Sequence, residues 1–74
     1  MVNKITKIAQ YEKRFGFIAI KKGFISNDDL IKALNIQVTE EHENKRHRLL
    51  GEIFFDLNVM TDRQIEEVLM EIFR

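Results

Sequence analysis

Apolar residues recur along the chain in two sets that superimpose when Gly16 is laid on Gly51, thirty-five residues later. Ile18 then falls on Ile53, Ile20 on Phe55, Ile25 on Met60, Leu30 on Ile65, Ala33 on Val68 and Leu34 on Leu69. Self-similarity at a fixed period marks a duplicated supersecondary unit that buries its apolar face against its neighbour. Gly23 is matched by Asn58, and both residue types accept the left-handed backbone found just past a helix end. Ser26 and Thr61 each stand three residues before a side chain able to reach back, Asp29 and Gln64, as in a helix capping box. Each half therefore reads as helix, tight turn, capped helix.

The first helix of each half needs the comparison to be assigned. In Arg14–Lys21, Phe15, Phe17 and Ala19 alternate with Gly16, Ile18 and Ile20, which would suit a strand. In the partner segment Leu49, Leu50, Ile53, Phe54 and Leu57 share one helix face, so both segments are assigned as helix. Leu30, Ile31, Leu34 and Val38 form the stripe of one second helix, and Ile65, Val68, Leu69 and Ile72 that of the other. Leu34 and Leu69 are expected as equivalent inward positions.

The polar segment 38–48 has no breaker and suits either a helical extension or a loop; we expect partial helix. Upstream, Ile5, Ile8 and Tyr11 either extend the first helix or pack as a separate turn. Short helices are unstable alone in water and must bury their stripes on one another. The prediction is one all-α domain over 1–74: a small bundle of about four short helices in two repeated hairpins, with repeats at 14–37 and 49–72.

Composition narrows the class. Without Cys, neither a disulfide framework nor a thiolate zinc site can hold so small a chain together, and a cytoplasmic protein is expected. No run of apolar residues approaches the length of a membrane helix or a signal-peptide core, so no membrane insertion is expected. Net charge is zero but uneven. Residues 1–25 carry six Lys/Arg against one Glu (+5), residues 26–48 four against five acids (−1), and residues 49–74 two against six (−4). Pairing of a basic with an acidic helix surface accounts for that gradient.

Catalytic chemistry finds little footing. His42 and His47 are five apart, not at the three- or four-residue spacing of a helical metal pair. Ser26 and Thr61 are accounted for as caps, and the acidic pairs Asp28-Asp29 and Glu66-Glu67 offset helix dipoles or lie on polar faces. No enzyme, metal site or cofactor is expected. The basic residues of 44–48 adjoin the acids of 40–43, which repel phosphate, and a small helix-turn-helix nucleic-acid binder is a further alternative. Six Phe residues are many for two thin hairpins to hide, which favours a protein partner or a homodimer.

One constellation stands out. Arg14 precedes Gly16 by two residues, and the hairpin brings Gln37 back towards them, with Phe15, Leu30 and Leu34 as an apolar wall. Such a set could hold a planar anionic ligand, Arg taking phosphate or guanine. The ordinary alternative is an exposed Arg, a Gly that permits a close helix crossing, and an exposed Gln.

Arg14, Phe15, Gly16, Ile20, Gly23, Phe24, Ile25, Leu30, Leu34 and Gln37 resemble the tandem motif of the N-terminal domains of type II secretion and type IV pilus assembly ATPases, the MshEN family. The resemblance spans the 24 residues from Arg14 to Gln37 and implies a bacterial regulatory domain. It also implies that Arg14, Phe15, Gly16, Ile25, Leu30, Leu34 and Gln37 grip cyclic di-GMP. The second copy departs from the motif, with Leu49 at the Arg position, Asn58 at a Gly and Ile72 at the Gln. A protein-interaction or oligomerisation domain with no nucleotide is the alternative. On either reading the apolar skeleton is kept twice to build a core, and the polar set is kept once.

Overall fold

The computed structural model describes the backbone of residues 4–44 and 48–74, and the side chains of 9–43 and 48–74. Four helices follow one another: α1 (Lys4–Lys21), α2 (Asn27–Asn44), α3 (Leu50–Asp56) and α4 (Asp62–Ile72). Among the described residues there is no strand, and residues 15–20 are helical. The all-α expectation is met. Upstream residues extend α1 without a break, and α2 carries helix through most of the polar connector. Expectations for the side chains of Ile5 and Ile8, and for residues 45–47, lie outside the described residues.

The thirty-five-residue period holds in the backbone. α1 ends at Lys21 and α3 at Asp56, while α2 begins at Asn27 and α4 at Asp62. Each first helix closes the same way: Phe24 N–H donates to the Ala19 carbonyl and Val59 N–H to that of Phe54, both at 2.9 Å. Gly23 N–H donates to Ile20 and Asn58 N–H to Phe55, at 2.9 and 3.0 Å. These paired bonds need a left-handed residue just past the helix, and Gly23 (φ 78°) and Asn58 (φ 61°) supply it. The following caps are reciprocal in both halves. Ser26 Oγ accepts from Asp29 N–H while Asp29 accepts from Ser26 N–H, at 3.1 and 2.9 Å. Thr61 and Gln64 do the same at 3.1 and 3.0 Å.

Five aligned pairs make the core: Phe15 with Leu50, Ile18 with Ile53, Ala19 with Phe54, Ile25 with Met60, and Ala33 with Val68, none more than 7% exposed. Both halves thus contribute the same register positions. The stripe expected of α2 is corrected: Leu34 is 40% exposed and Ile31 and Val38 are exposed with it, whereas Leu69, the counterpart of Leu34, packs against the core. Ala33 and Val68 occupy the inward direction, and Leu34 lies about 100° further round α2.

The hairpins exchange partners. α1 packs chiefly on α4 and α2 on α3, with α3 also touching α1 and α4. Basic α1 therefore meets acidic α4. Lys22 Nζ lies 3.0 Å from Glu67 and 3.8 Å from Glu71. The hydrogen bond to Glu67 comes first among the effects that hold the Lys22 ammonium above its ordinary pKa.

Candidate functional site

The polar residue kept in only one repeat has an internal use. Gln37 is buried, and its Nε2 donates to Glu12 Oε1 at 2.7 Å and to the Arg48 carbonyl at 2.8 Å. Glu12 is buried as well, and the same Oε1 accepts the Leu50 N–H at 2.9 Å. Leu50 opens α3, so a carboxylate from α1 satisfies one of the amides that a helix start leaves without an intrahelical partner. Glu52 accepts the Leu49 N–H at 2.9 Å and completes that start from within α3. Gln37 thus ties α2 to α1 and to the segment entering α3. Glu12 escaped the motif reading, although it is the one acid among six basic residues of the first twenty-five.

The predicted ligand set is dispersed. Arg14 is exposed, and on α1 it lies about 200° around the axis from Glu12, the residue Gln37 meets. Arg14 and Gln37 therefore do not converge. Gln37, expected to face a ligand or to be exposed at a fraying helix end, is neither. Phe15 and Ile25 belong to the core, Phe15 stacking on Phe54 with ring centroids 6.4 Å apart. Gly16 is buried under Leu30: a Cβ there would meet Leu30 Cδ1 at 3.1 Å, so the glycine makes room for that side chain. Leu34 faces outward. Arg48, displaced by one residue from the motif position, forms a two-pronged pair with Glu40 (Nε–Oε1 2.9 Å, Nη2–Oε2 2.5 Å) and a second pair with Asp56.

An open site is found at the matching positions of the second repeat. Leu49, Gly51, Ile65 and Leu69 align with Arg14, Gly16, Leu30 and Leu34, and all four line a groove of about 280 Å³ between α1, α3 and α4. Tyr11 and Phe15 close one wall, and Glu52 and Asp62 stand at its edge. A Cβ on Gly51 would lie 3.2 Å from Phe15 Cζ and 3.5 Å from Ile65 Cγ2, so the glycine forms part of the groove floor. Leu69 also lines a second depression of about 380 Å³, with Glu66, Met70, Phe73 and Arg74. Tyr11 bridges the two, because its ring stacks on Phe73 at 6.0 Å. Burial raises the Tyr11 phenol above its ordinary pKa, and the charges of Glu12 and Glu52 push the same way.

Elsewhere the surface carries a second apolar feature. Ile31, Leu34 and Val38, at i, i+3 and i+7, form an outward stripe on α2, 57, 40 and 63% exposed. Among the described residues no cluster of His, Asp and Glu could hold a metal ion, and no helix is long and apolar enough to cross a membrane. No family model, curated protein or solved structure matches the chain.

Proposed function

We propose that the chain is a non-enzymatic, bacterial protein-interaction module of the cytoplasm, resembling the regulatory N-terminal domains of secretion and pilus ATPases in its duplicated hairpins. The α2 stripe carries this reading. Ile31, Leu34 and Val38 present branched apolar side chains at the spacing by which one helix anchors on another protein, while Ala33 on the same helix is in the core. The internal use of Gln37, and the separation of Arg14 from it, support interaction over nucleotide sensing.

Site-specific photocrosslinking in native cells tests the proposal. A photoreactive residue at position 34 should give discrete protein adducts, either a second copy or another chain. The same group at position 13, an exposed Lys on α1, should not. Adducts absent from both positions would overturn the reading.

A further inference from the structure

The groove beside α4 differs in chemistry from the site its repeat partner was expected to form. Leu49 stands where Arg14 stands in the first repeat, so the position that could grip an anion is apolar. The charges around the groove are Glu52, Asp62 and Glu66, with Arg74 at the far end only. Asp62 and Glu66 form no ion pair among the described residues. An anionic ligand would be repelled here, and a partner that is apolar on one face and cationic at its margins would be complementary.

Length adds a second constraint. Asp62, Ile65 and Leu69 follow one face of α4, with Phe73 at its C-cap, along two depressions that share Leu69. Their separation at about 1.5 Å per residue is roughly 16 Å, close to three helical turns. The groove is too long for one side chain and suits anchors spaced at i, i+3 or i+4, and i+7.

We propose that this groove receives a cationic amphipathic helix of a partner protein. Its apolar side chains would seat over Gly51, Ile65 and Leu69, and its Lys or Arg residues would flank Glu52, Asp62 and Glu66. The proposal rests on the reading of the chain as an interaction module but uses a surface separate from the α2 stripe.

Titration of the isotope-labelled chain with designed peptides tests it. One peptide of about three turns carries leucines at i, i+3, i+4 and i+7 on a lysine background. The second replaces lysine by glutamate, and the third scrambles the first. The lysine peptide should shift the amides of Gly51, Glu52, Ile65 and Leu69, bind at least about tenfold more tightly than the glutamate peptide, and weaken with salt. Glu66→Lys should weaken the lysine peptide severalfold and strengthen its glutamate counterpart. Because Glu66 is exposed on α4, that variant should fold as the parent does. Leu34→Asp should leave binding unchanged, which separates failure of the α2 stripe from failure of this groove. No shifts at the groove, equal binding of the glutamate peptide, or equal binding of the scrambled peptide would each overturn the proposal.

Discussion

Gln37 and Glu12, twenty-five residues apart, form a 2.7 Å hydrogen bond in the interior that draws α1 and α2 onto the start of α3. The aligned positions of the second repeat hold Ile72 and His47, so the pair cannot be made twice. Gln37→Ala removes the donor to a carboxylate and leaves the Arg48 carbonyl without it. Loss on the order of 2 kcal/mol is expected, the scale of a hydrogen bond to a charged group. For so small a domain that is a large fraction of total stability. Urea unfolding measures it, and a midpoint equal to that of the parent chain would refute the structural role.

The two turns should respond oppositely to substitution. Gly23→Ala places a Cβ on a left-handed residue and should cost about 1–2 kcal/mol. Asn58→Gly relieves the same constraint and should be neutral or slightly stabilising. Thermal melts of the two variants compare them directly. Equal destabilisation of both would mean that the turns are not equivalent.

Burial, rather than the apolar pattern alone, should decide the cost of core truncation. Ile53→Ala removes a fully buried side chain and should cost about 2–5 kcal/mol. Leu34→Ala, on the exposed stripe, should change stability by no more than about 0.5 kcal/mol. Comparable losses from chemical denaturation would put Leu34 back in the core.

Alkaline pH should weaken the fold through Tyr11. Its phenol pKa is raised in the folded chain, mainly by burial, so the folded form keeps the proton to higher pH than the unfolded form. That stabilisation is complete below the unfolded value near 10.0 and is lost as pH rises through the folded value. Lys22, also raised, contributes in the same direction from about 10.5. Tyr11 is the single tyrosine in a chain without tryptophan, so ultraviolet titration follows it alone. Tyr11→Phe should remove its share of the alkaline loss, and a phenol titrating at or below its ordinary value would contradict the assignment.

The fold was legible because its signals are local and repeated. The Gly23/Asn58 turn, the Ser26/Thr61 cap and five core positions each occur twice, so ambiguity in residues 15–20 was resolved by the copy at 50–56. Two features escaped because they depend on partners distant in sequence. Leu34 lies on an apolar stripe, but which edge of α2 faces inward is set by α3 packing against it. Gln37 matches a ligand motif, but its donor is taken by Glu12 from another helix. The groove was missed because substitution of Leu49 for Arg at the motif position read as loss of a site. In three dimensions it leaves an apolar depression.

The motif's Gln37 supports the fold, and on the proposed reading the chain engages proteins rather than a nucleotide. Titration of cyclic di-GMP into the isotope-labelled chain, up to millimolar concentration, separates the two. Amide signals at Arg14, Phe15 and Gly16 should be unchanged, as should the Gln37 side-chain amide, which stays bonded to Glu12. Saturable shifts at Arg14 to Gly16 together with Gln37, abolished by Arg14→Ala, would contradict that reading.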